Sequence, residues 1–297
     1  MQIQSPTQFI SAAFLVFCAC ALPAWSQNAL QPPTAEITAA EQSITEPALR
    51  AHIRFLADDL LEGRGPGSRG DELAQHYIAA QFESLGLKPA APGGGWFQPV
   101  PLVGVTAHVP PTLKFTWEGQ TGAVGAALRG GPPAEPNSAK KSLELKRHDD
   151  YVFASGKPQP RVMVENAEIV FVGYGIQAPE YQWDDFKGAD LKGKILLVMN
   201  NDPADDPQLF GGKKRLYYGR WDYKYASAAR QGAAGAIIIH TTPSAGYPFQ
   251  VVQTSWSGEE FELAETTGPR LEMRGWMTED ASKRLVALAG KDLDQLR

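Results

Sequence analysis

Residues 167–202 read AEIVFVGYGIQAPEYQWDDFKGADLKGKILLVMNND, and this run constrains the fold more than any other stretch of the chain. Its ends, AEIVFV and KILLVM, are apolar and rich in β-branched residues, the composition of buried strands. Between them lies a Gly- and Pro-containing connection that carries Tyr181, Trp183, Asp184, Asp185 and Phe186. A connection of this length between buried strands has to be an ordered loop with packing of its own.

The rest of the composition permits such a core. The chain has 297 residues, 43% hydrophobic and 21% charged, enough for one large or two ordinary domains. Its net charge is −5 and no block of like charges stands out, so neither charge nor motif supports nucleic-acid binding.

Residues 9–25, FISAAFLVFCACALPAW, are apolar, uncharged and short for a membrane span. Ala24 and Ser26 place small residues at the −3 and −1 positions for cleavage before Gln27. Residues 1–26 therefore read as a signal peptide, which sends the protein to the periplasm or outside the cell with no membrane attachment after cleavage. The leader lacks Lys and Arg, and a lipid anchor on Cys20 is the competing reading, although Phe17 stands where that signal usually carries Leu. Both cysteines, Cys18 and Cys20, lie in this leader, which leaves a mature chain without disulfide or thiolate chemistry. Residues 27–44, polar with Ala and Pro, read as a loose tether.

Two helices follow. Leu49, Ile53, Leu56 and Leu60 recur at helical spacing over residues 45–62, with Thr45 as cap and Pro47 in the first turn. The segment GRGPGSRG breaks the pattern, and Ser68 opens a second helix with Asp71 and Glu72 in its first turn. Ala74, Ile78, Phe82 and Leu85 form its stripe, and Gly86 with Pro89 ends it. Short strands come next: WFQPVPLV, at most an edge strand because of its prolines, then LKFTW, SLELK and DYVFA, with a Pro-rich loop at 130–137. A helix over 220–231, the strand AGAIIIH and a strand near 271–275 complete the sheet signals. A last helix starts at Thr278 and ends at Gly290.

Several catalytic patterns match only in part. Gly173, Gly175 and Ala178 satisfy a loose dinucleotide pattern, but Pro179 stands where a helix must present its N–H groups to a pyrophosphate. GADLKGK imitates a phosphate loop, but Ile195 replaces the Ser or Thr that holds magnesium. His148-Asp149-Asp150 has a His-x-Asp spacing used by zinc peptidases without the apolar strand that should precede it, and Glu259-Glu260 imitates a general-base pair. A two-zinc site needs further carboxylates and a second histidine, and none of the five histidines follows Glu260.

The segment KKRLYYGRWDYK, residues 213–224, crowds Tyr217, Tyr218, Trp221 and Tyr223 beside Arg215, Arg220 and Lys224. One reading is helix packing, with rings on the core and cations reaching to solvent. The other places Tyr218 and Arg220 at a substrate cleft, where a guanidinium holds a peptide carboxylate through paired hydrogen bonds.

The order of these stretches resembles one family. LRAHIRFLADDLLEGRGPGSRGDELAQHYIAAQFESLGLKPA and WFQPVPLV resemble the N-terminal helices and following strand of bacterial zinc aminopeptidases of the glutamate-carboxypeptidase and transferrin-receptor type. VGYGIQAPEYQWDDFKGADLKGKILLV and YYGRWDYKYASAARQGAAGAIIIH resemble their inserted protease-associated (PA) domain. The resemblance covers nearly all of residues 45–297 and implies an α+β chain: a β-rich PA domain (105–297) inserted after the N-terminal helices and first strand (45–104) of an incomplete α/β zinc-peptidase domain. It implies two zinc ions and a peptide substrate for the complete enzyme. The metal ligands and catalytic residues would belong to a C-terminal catalytic segment beyond Arg297, so none is carried onto this chain and no zinc is expected to bind it. The alternative is a secreted, non-catalytic PA module that binds peptide or protein.

Overall fold

The computed structural model of this chain describes residues 34–118, 140–204, 206–265 and 267–297. The leader with its cleavage site and cysteines, the start of the tether and the Pro-rich loop at 130–137 lie outside the described residues. The chain divides into two compact units, Met1–Lys88 and Pro89–Arg297.

The first unit is helical. α1 (Ala35–Ser43) falls where a loose tether was expected; Thr34 caps it, and none of its residues is buried. α2 (Glu46–Leu56) starts at Thr45 with proline in its first turn, but the Thr45 hydroxyl makes no capping bond. The expected helix to residue 62 stops at Leu56. The Asp58 carboxylate accepts the N–H of Leu60 at 2.9 Å and opens a separate 3-10 segment, Asp59–Arg64. α3 (Arg69–Ser84) begins at Ser68, whose hydroxyl accepts the N–H of Asp71. Gly70 is needed there, because a Cβ would lie 1.7 Å from the Leu61 carbonyl oxygen. His52 Nδ1 lies 2.9 Å from the Tyr77 hydroxyl and Phe55 stacks on the Tyr77 ring, which joins α2 to α3.

The second unit is mixed. In chain order its elements are β1 (Leu102–Thr106), β2 (Thr112–Trp117), β3 (Lys141–Lys146), β4 (Tyr151–Ser155), β5 (Ile169–Phe171), β6 (Gln177–Ala178), β7 (Trp183–Asp184), β8 (Ile195–Met199), α4 (Trp221–Arg230), β9 (Gly235–His240), α5 (Thr242–Ala245), α6 (Phe249–Ser255), β10 (Glu259–Leu263), β11 (Met273–Thr278), α7 (Glu279–Leu288) and α8 (Leu293–Leu296). Five strands form one sheet in the order β4-β11-β9-β8-β5. β5, β8, β9 and β11 run parallel, and β4 is antiparallel to β11.

This sheet is buried on both faces, as a parallel sheet must be. Ala236 and Ile238 point toward α4 and α6, where Tyr225, Ala228, Ala229 and Val252 cover them. Ile237 and Ile239 point the other way, toward α7 and the β2–β3 hairpin. All four of these β9 side chains are fully buried. At about 1.5–3 kcal/mol for each large apolar side chain removed from water, this strand anchors the unit. The chain is thus of α+β character, with helices packed on a mixed sheet.

β1 pairs antiparallel with β10, Leu102 opposite Leu263. The expected strand WFQPVPLV contributes only Leu102 and Val103 to β1, and the two compact units divide after Lys88.

Candidate functional site

The aromatic and acidic connection between β5 and β8 folds back onto the start of α4. Asp185 accepts the N–H of Ile176 at 2.9 Å and Asp184 accepts that of Phe186 at 2.9 Å, so the acids of this loop shape its own backbone. Its rings close over a small cluster, with Ile176, Phe210 and Tyr223 buried and Tyr181, Trp183 and Tyr218 at the margin. The Tyr218 ring meets Phe210 at 5.5 Å and Tyr223 at 5.1 Å, both edge-on.

Tyr218 and Arg220 are therefore placed differently. The half-buried Tyr218 donates its hydroxyl hydrogen bond to Glu180. That bond holds the phenol up at about 12 and the Glu180 carboxyl below its ordinary value. Arg220 is exposed, and its Nε lies 3.1 Å from the Asp222 carboxylate rather than on Tyr218. Its Nε is shared between both oxygens of that carboxylate.

Below the rings lies Lys224, whose burial the sequence did not indicate. It is 1% exposed, and its ammonium donates to the Tyr174 carbonyl at 2.7 Å. Burial depresses it to about 7, while the nearby carboxylates of Asp185 and Asp202 oppose that shift. Burial also raises both of those carboxyls. Ser227 donates to the Gly175 carbonyl at 2.9 Å, and the Tyr223 hydroxyl lies 3.2 Å from the Gln177 N–H. Asp202 accepts the N–H of Leu216, and Gly219 packs so closely that a Cβ would sit 3.1 Å from the Asp202 carboxyl carbon. One buried cation thus ties α4 to two loops that are distant in sequence.

The partial motif matches resolve as structural parts. His148 sits at a turn with φ of 70°, with Nδ1 3.4 Å from the Ser257 hydroxyl. Asp150 accepts the Lys146 N–H and pairs with Arg284. Glu260 pairs with Arg274 at 2.8 Å. His240 is buried among Tyr247, Phe249 and Trp276, and burial lowers its pKa. Among the described residues, no group of three or more His, Cys, Asp or Glu side chains is arranged to hold a metal ion. No described helix is long and apolar enough to cross a membrane. A cavity of about 1150 Å³ lies on the second face of the sheet above Phe153, Phe171, Leu197 and Ile237.

No protein-family model and no curated protein matches the chain. Among solved structures it is similar to an aminopeptidase from Aneurinibacillus sp. strain AM-1, with 18% identity and a TM-score of 0.31. That match covers 82% of this chain and 40% of the aminopeptidase, so the chain spans less than half of that protein's length.

Proposed function

We propose that this chain is the N-terminal and PA-domain portion of an exported, zinc-dependent aminopeptidase that removes N-terminal residues from peptides. The observation that carries this reading is the joining of the two PA-like stretches. The β5–β8 loop and α4, separate in sequence, are tied by Lys224 to Tyr174, Ser227 to Gly175 and Tyr223 to Gln177, and β8 pairs with β9 beneath them. In this reading the PA-like unit is a substrate-covering element, and Arg220 with the Tyr218 ring faces the peptide.

The donors within the described residues do not fit a zinc pair: Glu260 and Asp150 are committed to arginines, and His240 is enclosed by aromatic rings. No catalytic step is assigned to this chain. In the proposed enzyme, both zinc ions and the catalytic residues belong to a segment outside residues 1–297.

The test uses protein made from the complete gene. Release of amino acids from aminoacyl nitroanilides, abolished by a chelator and restored by zinc, is the expected result, together with a mature N-terminus at Gln27. A complete protein that hydrolyses no such substrate, or whose activity ignores chelation, overturns the reading. Exposed Arg220 beside an aromatic surface also suits the second reading, a peptide-binding module without catalysis. Saturable peptide binding by a complete protein that hydrolyses nothing would favour that one.

A further inference from the structure

A second cavity, of about 690 Å³, opens within the sheet-bearing unit, with Trp221 but not Tyr218 in its lining. Its volume falls within the roughly 300–1,000 Å³ of small-molecule sites. Three of the chain's seven tryptophans line it, Trp221, Trp256 and Trp276, with Tyr247 beside them. Trp256 meets Trp221 at 6.3 Å and Trp276 at 6.5 Å, both edge-on, so the indoles form a corner. Trp276 is buried and forms the floor, while Trp221 is 42% exposed and offers a free surface at the mouth.

The opposite wall is charged but balanced. Arg274 reaches Glu260 at 2.8 Å and Glu262 at 2.7 Å, and Arg270 pairs with Glu262. Two arginines face two glutamates, so the wall is neutral while offering both donors and acceptors. These side chains remain between 13% and 24% exposed. Two donors of lining residues, Arg274 Nε and Trp276 Nε1, have no hydrogen-bond partner.

This combination restricts the occupant. An anion finds the arginine terminal nitrogens already paired and the Arg274 Nε enclosed, and a cation finds the glutamates already paired. A purely apolar group would strip water from the ion pairs without replacing its hydrogen bonds, which is costly. A ligand that fits is neutral, has an apolar face for the indoles and carries hydroxyls at its edge that both donate and accept. We propose that this cavity is a saccharide-binding site, in which a neutral pyranose ring lies against Trp221 and its hydroxyls engage Glu260 and Arg274.

The experiment is a tryptophan-fluorescence titration of the full chain with neutral trisaccharides of the malto, cello, xylo and chito series, and with a tryptophan-containing peptide as the contrasting probe. A saturable change with at least one trisaccharide is expected, and Trp221→Ala should weaken it about ten-fold, the scale of one lost aromatic contact with its buried area. Thr267 is exposed at the cavity lining, so Thr267→Trp should block the site and abolish the change without touching the core. No saturable change with any trisaccharide overturns the proposal. So does wild-type sugar affinity in Thr267→Trp, or saturation with the peptide alone.

Discussion

The helical unit and the sheet unit contain apolar side chains of similar kind and use them in opposite ways. In the helical unit, Leu49, Ile53, Ile78, Phe82 and Leu85 are all exposed, and the helices bury little beyond Leu61, Gly70 and Ala74. In the sheet unit, three successive isoleucines, Ile237, Ile238 and Ile239, are all fully buried. Hydrophobic periodicity therefore specifies an element, and burial requires a second surface. β9 has helices on one face and α7 on the other, whereas α2 meets α3 through the Tyr77 contacts and α3 meets the 3-10 segment through the fit of Gly70 against Leu61.

The sharpest way to break this contrast is a matched pair of substitutions. Ile238→Ala should destabilise the sheet unit by about 2–5 kcal/mol through the cavity it leaves. Ile53→Ala, at a position 64% exposed, should stay within about 0.5 kcal/mol. Urea denaturation reads both, and equal losses would mean that α2 is held as firmly as β9. Hydrogen exchange extends the test: amides of β8 and β9 should exchange about a thousand-fold more slowly than those of α2 and α3.

A smaller effect concerns the buried cation. Lys224 sits near 7 in the folded chain against an ordinary value of 10.5. The unfolded chain therefore holds more protons across that window, so this residue makes stability rise as pH rises from about 7 toward 10.5. Asp185 and Asp202, whose folded values are raised, act in the opposite sense at acid pH, where stability falls as pH climbs above 3.8. Lys224→Met should lose the alkaline gain and cost about 1–3 kcal/mol at pH 9, because the Tyr174 carbonyl is left without its donor. Urea midpoints of both proteins at pH 7 and pH 9 decide it. A variant with the wild-type rise would assign that rise to other groups.

The smallest effects should come from the surface. Tyr218→Phe removes the bond to Glu180 and should cost under about 1 kcal/mol. Arg220→Ala, whose ion pair with Asp222 is exposed, should leave the free energy of unfolding within about 0.5 kcal/mol of wild type. In the proposed complete enzyme, Arg220→Ala should raise KM. A lost melting temperature with unchanged kinetics would return Arg220 to a packing role.

Local signals were legible where they are short-range. Ser68 and Thr278 cap the helices that the sequence placed after them, and Gly232 ends α4 with φ of 73°. LKFTW, SLELK, DYVFA and AGAIIIH each contain or overlap a strand. β10 and α6 were not legible. EEFEL alternates charge with apolar residues and reads as surface until it pairs with β1, and FQVVQTS is too short for a helical stripe. The aromatic segment at 213–224 announced a special surface without telling which ring faces in. The structure buries Tyr223 and Lys224 and leaves Arg220 to solvent.

The sequence by itself determined the strongest local elements of this protein: the caps at Ser68 and Thr278, turn glycines, the β-branched strands β8 and β9 and the helix that joins them. These depend on neighbours within one turn or one strand, where side-chain and backbone preferences act directly. Tertiary structure alone decided which polar groups became costly or useful. Lys224 is an ordinary lysine until Asp185 and Asp202, 39 and 22 positions away, close around it. Arg274 joins Glu260 and Glu262 into a neutral wall only because β11 passes β10. Electrostatic free energy depends on burial and distance, and neither is written in the order of residues along a chain.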